Sequence, residues 1–310
     1  MEMLIQVVLL VVGFVMLIKG AGWFVDGASG IAEKFGVPQL VVGLTIVAMG
    51  TSAPEAAVSI SAALQDNAGI TVGNVLGSNI LNVFVILGIT SVIIAIAVAK
   101  STIKIELPAM IIITIVFAAF GVTGKEISRI EGVVLWGIFL VYLCYLFWLA
   151  KNNKEETLSE ETVKPTWLLI VLTIIGLVLI VYGSDVTVDA ATKIAKALGV
   201  SERFIGLTII ALGTSLPELC TSISAAMKGK ADIAIGNIVG SNIFNILFVI
   251  GTTAIITPVP FESKFIIDTI IAVAAGVMLL LCVVKSKKLT RPAGIAMLVA
   301  YAGYFIYLLQ

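Results

Sequence analysis

Long apolar runs follow one another along the whole chain, separated by short polar turns. Wound as a helix, about 20 apolar residues cross the hydrocarbon core of a bilayer. The pattern predicts ten such helices, near 3–21, 40–63, 70–97, 106–123, 131–150, 166–187, 204–227, 233–257, 265–284 and 293–309. The one distinctly polar stretch, KNNKEETLSEETVKP at 151–165, divides five spans from five. The expected organisation is a first five-helix unit over 1–150, a linker over 151–165, and a second five-helix unit over 166–310. The first run, MEMLIQVVLLVVGFVMLIKG, lacks a preceding basic segment and is long for a signal-peptide core, so it reads as a retained span.

Composition sharpens this picture. The chain of 310 residues is 60% hydrophobic and 12% charged, with mean hydropathy +1.15. Soluble domains carry about 25% charged residues, so the pattern is that of an integral membrane protein. Net charge is zero and no basic stripe occurs, which argues against a nucleic-acid partner. There is no histidine, and Cys144, Cys220 and Cys282 lie far apart in apolar runs. That excludes a disulfide framework and the usual zinc or copper sites. Any metal handled here is a hard cation held by oxygen.

Orientation follows from lysine and arginine in the short loops. With the N-terminus outside, the cytoplasmic loops hold 12 basic residues and the outer loops 6. The expectation is a cell-membrane protein with both termini extracytoplasmic and the linker in the cytoplasm.

Two polar hexapeptides interrupt the apolar runs. GTSAPE at 50–55 has a partner, GTSLPE at 213–218, displaced by 163 residues. GNVLGSNILN at 73–82 likewise meets GNIVGSNIFN at 236–245. From Gly43 to Gly88 against Gly206 to Gly251 there are 25 identities in 46 positions without a gap. The chain is therefore a duplicated unit. An odd number of spans per unit places the halves in opposite orientations. Inverted repeats with matching Gly/Pro-interrupted segments point to a secondary transporter with its site at the midplane. A duplication kept only for packing has no need of glutamate at a depth where a charge costs about 3 kcal/mol or more.

Gly50 and Pro54 break a helix, and the missing Pro54 N–H frees carbonyls near Ala48–Gly50. Ser52-x-x-Glu55 also fits a capping box, in which Glu55 serves only its own helix terminus. Thr51 and Glu55 share a face if the helix continues, as do Thr214 and Glu218. Opposed halves can bring both carboxylates together, and two lone carboxylates in low dielectric resist joint ionisation. A divalent cation neutralises both, and Ca2+ accepts carboxylate, hydroxyl and carbonyl oxygens. Ser78 and Asn82, like Ser241 and Asn245, are four apart and share a face. The glycine pairs 73/77 and 236/240 read as packing. Asn74, Asn79, Asn237 and Asn242 offer a ligand or an interhelical hydrogen bond, with packing the favoured reading. Glu106 and Asp268, near span starts, read as interfacial caps or solvated residues.

These paired motifs resemble those of the Ca2+/cation antiporter superfamily, most of all its sodium/calcium exchanger branch, over essentially the whole chain. The resemblance implies that Glu55 and Glu218 are central Ca2+ ligands shared with Na+, assisted by Thr51 and Thr214. It implies that Ser52, Ser78, Ser215, Ser241 and the carbonyls of Ala48 and Ala211 hold flanking Na+ ions. Asn82 and Asn245 fill the remaining positions; some exchangers carry aspartate at the latter. The first and sixth spans would slide as a loosely packed pair. The implied partners are Ca2+, Na+ and the bilayer, with no cofactor and no protein partner. The proton-coupled branch usually has GNxxE where this chain has GTSxPE, which favours sodium. A Ca2+/H+ antiporter using the same glutamates is the nearest rival, and a Ca2+-permeable channel the next. An intramembrane hydrolase lacks the histidine, Ser–Lys pair or aspartate dyad it needs.

Overall fold

The structure, a computed structural model, describes residues 2–65, 67–153, 164–200, 208–209 and 211–309, and for Glu2 and Ala211 the backbone alone. Most of the linker expected at 151–165, and the start of the span expected at 204–227, lie outside the described residues.

The described chain is almost entirely helical. Eight helices are long and apolar enough to cross a membrane, or nine when one bent pair counts as a single span. In order they are α1 (Glu2–Phe35), the bent pair α2 (Gln39–Thr51) and α3 (Ala53–Leu64), α4 (Gly69–Ile93), α5 (Thr102–Gly124), α6 (Arg129–Asn152) and α7 (Thr166–Ala197). A short helical turn, Ala211–Gly213, then precedes α8 (Leu216–Met227), α9 (Ala231–Ile256), α10 (Lys264–Val284) and α11 (Arg291–Leu309).

The two helices that carry the second motif pair lie deepest. In α9, 94% of the most apolar stretch is buried, and in α4 72%, against 17% in α1 and 22% in α7. These two motif-bearing helices form the centre, while α1 and α7 turn large apolar side chains such as Leu4, Val11, Ile18, Trp167, Ile174 and Tyr182 outward. With no water to satisfy it, a polar interior at membrane depth has to be closed by protein.

α1 and α7 pack against each other through glycines seven apart. A methyl group added at Gly20 would lie 2.8 Å from Leu179 Cβ, and one at Gly176 2.4 Å from the Phe24 backbone nitrogen. Gly13, Gly27 and Gly183 are equally tight. Both helices run beyond the expected ends at 21 and 187, to Phe35 and Ala197. The α1 extension is tied to the second half: Lys228 Nζ lies 2.7 Å from Asp26 Oδ1, and Lys230 pairs with Glu33.

Four two-residue strands cap the helix ends. β1 (Ile96–Ala97) pairs with β4 (Lys288–Leu289), and β2 (Glu126–Ile127) with β3 (Val259–Pro260), both antiparallel. The apolar run expected to continue α4 to residue 97 stops being helical at Ile94, which is extended (φ −145°, ψ 132°). From Ala95 burial alternates, with Ile96 and Val98 inside and Ala95 and Ala97 out, the two-residue period of a strand.

Candidate functional site

Two interruptions place the polar side chains. The chain bends by 49° between α2 and α3 at Ser52, where Pro54 occupies the first turn of the new helix. Thr214 and Ser215 interrupt the helix at the matching position before α8, with Pro217 in the first turn. In the deep helices the backbone widens into π-helical turns that open at the motif asparagines, over Asn82–Ile86 in α4 and Asn245–Ile250 in α9. Such turns shift the phase of the helix and expose backbone carbonyls, and they concentrate at functional sites.

Both glutamates are completely buried, and the charge of Glu218 reaches Glu55. The capping-box reading fails for both: neither Ser52 nor Ser215 makes a side-chain cap. Ser52 Oγ instead donates to Glu218 Oε1 across the halves at 2.8 Å. A genuine capping box of the same spacing occurs elsewhere, at Ser128 and Glu131. The bend also separates Thr51 from Glu55. Thr51, whose hydroxyl donates to Asn237 Oδ1 at 3.0 Å, lies near Glu218, while Thr214 and Ser78 lie near Glu55, none of them hydrogen-bonded to a carboxylate oxygen. Each glutamate thus faces the threonine of the opposite half, which the spacing along one helix does not reveal.

The remaining expected residues converge on the same region. Ser241 Oγ donates to the Ala48 carbonyl at 3.4 Å. That carbonyl is not freed by the proline: it still accepts from Ser52 N at 3.0 Å, because a missing Pro54 N–H affects the carbonyl four residues earlier, at Gly50. Ser78, Asn82, Ser215 and Asn245 are buried, and Thr214 is half-buried. Ala211 opens the short helical turn before the second interruption.

Asparagines outside the expected ligand set hold this arrangement. Asn79 Nδ2 donates to the Asn242 carbonyl and Asn242 Nδ2 to the Asn79 carbonyl, each at 3.1 Å. Their side-chain oxygens accept from Asn245 Nδ2 at 3.2 Å and Asn82 Nδ2 at 3.0 Å. Asn82 and Asn245 are thereby turned so that their own oxygens remain unpaired. Asn74 Nδ2 donates to Ser59 Oγ and the Glu55 carbonyl, and Asn237 Nδ2 to Ser222 Oγ and the Glu218 carbonyl. These are the interhelical hydrogen bonds expected of them. Gly236 and Gly240 let α9 approach α2, as expected for packing: a methyl at Gly240 would lie 2.8 Å from Leu44 Cα.

The consequence is a set of buried oxygens with no donor: both Glu55 oxygens, Glu218 Oε2, Ser215 Oγ, Asn82 Oδ1 and Asn245 Oδ1. Among the described residues no third acidic, histidine or cysteine side chain completes a metal-binding group with the glutamates. The donor chemistry is that of a hard cation. A cavity of about 340 Å³ reaches Thr214 and Pro54 between walls that include Asp185 and Asp189 of α7. On the other side Thr51 is fully buried, and Phe24 and Leu177 press on Gly50.

The model of the family described as "Sodium/calcium exchanger protein" matches residues 5–148 and 168–310. The chain belongs to the sodium/calcium exchanger family. It is 30% identical to the sodium/calcium exchanger MaX1 of Methanosarcina acetivorans, over 98% of each chain. It is 33% identical to the inner membrane protein YrbG of Escherichia coli, over 99% of this chain and 96% of that one. Among solved structures, the sodium-calcium exchanger NCX_Mj soaked with zero Na+ and Ca2+ is similar at a TM-score of 0.85 and 33% identity, covering 98% of this chain and 99% of that chain. Membership makes this a multi-pass membrane transporter and not an enzyme.

Proposed function

We propose that the protein is a secondary antiporter that carries Ca2+ out of the cell in exchange for Na+ by alternating access, and that Glu55 and Glu218 share one ion. The observation that carries this reading is the set of donorless oxygens contributed by both halves. Hydrocarbon surroundings cannot satisfy such groups, and a cation satisfies them together. Thr51, Thr214, Ser52, Ser78, Ser215, Ser241 and the carbonyls of Ala48 and Ala211 supply the neutral oxygens of the Ca2+ and Na+ sites. Two carboxylates with one Ca2+ sum to zero, as they do with two Na+; a third Na+ leaves +1. The site therefore exchanges unlike ions without leaving a large charge in low dielectric.

Ten spans in two oppositely oriented halves agree with the end strands. Each strand pairs not with its counterpart displaced by 163 residues but with the other strand of the second half. In an inverted pair the loop before the fourth span and the loop before the tenth lie on one face, as do those before the fifth and ninth. With both termini outside the cell membrane, the cavity at Asp185 and Asp189 opens outward, and the sealed side at Thr51 faces the cytoplasm. The glycine seam makes α1 and α7 one body, so their sliding past the α4–α9 centre opens one side as it closes the other.

The test is radioactive Ca2+ uptake into proteoliposomes under a sodium gradient, a pH gradient or neither. Uptake driven by sodium alone is expected. Uptake driven by the pH gradient without sodium would establish proton coupling instead, and uptake equal in all three arms would establish a channel.

A further inference from the structure

A second buried carboxylate lies away from the central pair. Glu106, expected at an interface, is fully buried in the first turns of α5. Tyr145 of α6 donates to its Oε1, but no described donor reaches Oε2. Thr102 Oγ1, one turn earlier, and Tyr142 Oη, on the same face of α6 as Tyr145, are buried and unpartnered as well. Tyr142 and Tyr145 both lie within the field of Glu106.

The second half carries a related arrangement that differs at several points, among them the donor: Tyr145 serves Glu106, whereas the counterpart of Tyr142 serves Asp268. Displaced by 162 residues, Asp268 stands for Glu106, Tyr304 for Tyr142 and Lys264 for Thr102. Tyr304 Oη donates to Asp268 Oδ1 at 2.8 Å, and Lys264, exposed and paired with Glu262 at 2.9 Å, brings a positive charge one turn before Asp268. In the first half a threonine replaces that lysine, the acid is one methylene longer, and it is completely rather than half buried. Among the described residues no ammonium or guanidinium pairs with Glu106. A buried carboxylate without a counter-charge is costly, and within a membrane it marks a site by default.

We propose that an alkali cation supplies the positive charge Glu106 lacks, held by Glu106 Oε2, Thr102 Oγ1 and Tyr142 Oη. The π-helical turn Thr102–Glu106 adds backbone carbonyl oxygen. All donors are oxygen, which suits Na+ or K+, and a single carboxylate balances one positive charge but not two. This site is separate from the Glu55–Glu218 centre and does not depend on the exchange reading.

The experiment uses the full-length protein carrying E55Q and E218Q, so that the central glutamates cannot respond. Its thermal unfolding midpoint is measured in NaCl, KCl or N-methylglucamine chloride at equal ionic strength and pH. NaCl or KCl is expected to raise the midpoint over N-methylglucamine, and the two arms identify the preferred ion. Adding Glu106→Gln is expected to abolish the increment. Thr102→Val and Tyr142→Phe are each expected to raise the half-saturating cation concentration about tenfold, the equivalent of about 1.4 kcal/mol; these two variants decide the matter if Glu106→Gln does not fold. No increment in the E55Q/E218Q protein, or one that survives Glu106→Gln, would overturn the proposal. So would a midpoint that follows pH through Glu106 but ignores the cation, since a proton then occupies the site.

Discussion

Replacing Ser52 with alanine should destabilise the ion-free protein, whereas the same change at Ser215 should leave it nearly untouched. The repeat makes the two serines equivalent in sequence, but their surroundings differ. Ser52 Oγ is fully buried and donates to Glu218 Oε1 at 2.8 Å. Ser52→Ala removes that hydrogen bond and, among the described residues, leaves both Glu218 oxygens without a donor. A buried hydrogen bond contributes about 0.5–1.5 kcal/mol, and up to about 3 where its acceptor is charged, and the lost hydroxyl leaves too small a gap to add much. Ser215 Oγ is buried with no partner. Deleting an unsatisfied polar atom costs little and can stabilise, so Ser215→Ala should fall within about 0.5 kcal/mol of the parent. The assay is thermal or denaturant unfolding of purified protein in chelator, with sodium replaced by N-methylglucamine. Equal costs for the two serines, or a larger cost at Ser215, would refute the reasoning. Saturating Ca2+ should narrow the difference, because Glu218 then has a cation as partner.

The asparagine clamp gives a second expectation. Asn79→Ala and Asn242→Ala should each cost about 2–3 kcal/mol of stability, and the double variant less than their sum, because both act on one reciprocal network. Unfolding midpoints of the singles and the double check this; strict additivity would contradict it. Gly176→Val should force α1 and α7 apart by about 1 Å, since a methyl 2.4 Å from Phe24 N is far inside normal contact distance. The expected cost is about 1–3 kcal/mol together with a lower exchange rate, and unchanged stability and flux would show that the seam is not tight. Lys228→Gln should loosen the end of α1, which Lys228 now holds by donating to Asp26 and the Gly22 carbonyl. Faster amide hydrogen exchange over residues 22–33 is the expected readout, and unaltered protection would refute it.

Much of this architecture is legible in the apolar runs, because length and hydropathy follow directly from bilayer thickness. The motif residues are legible because polar groups at that depth require a reason. Partnership was harder to read. Thr51 and Glu55 are four apart, which suggests a shared face, but the bend at Ser52 gives Thr51 to Glu218. Whether Ser52 caps a helix or reaches across the molecule is a question of tertiary contact, and Ser128-x-x-Glu131 shows that the same spacing does cap elsewhere. The short strands are not legible, because Ile94–Val98 is as apolar as any helix and the alternating burial of Ala95–Val98 appears only once Leu289 is beside Ile96. Glu106, at a span start, has the place of an interfacial residue. The tyrosines that enclose it come from α6, roughly forty residues on, and only the second half's Lys264, set against Thr102, hints that something is missing.

The central claim is that carboxylates from both halves grip a single ion. Equilibrium Ca2+ binding to the purified protein in sodium-free buffer tests it most directly, comparing the parent with Glu55→Gln, Glu218→Gln and the double variant. The account predicts one Ca2+ per chain in the parent, an affinity loss of at least about a hundredfold in either single variant (about 2.7 kcal/mol), and little further loss in the double. Two ions per chain, with each substitution removing one and sparing the other, would contradict it.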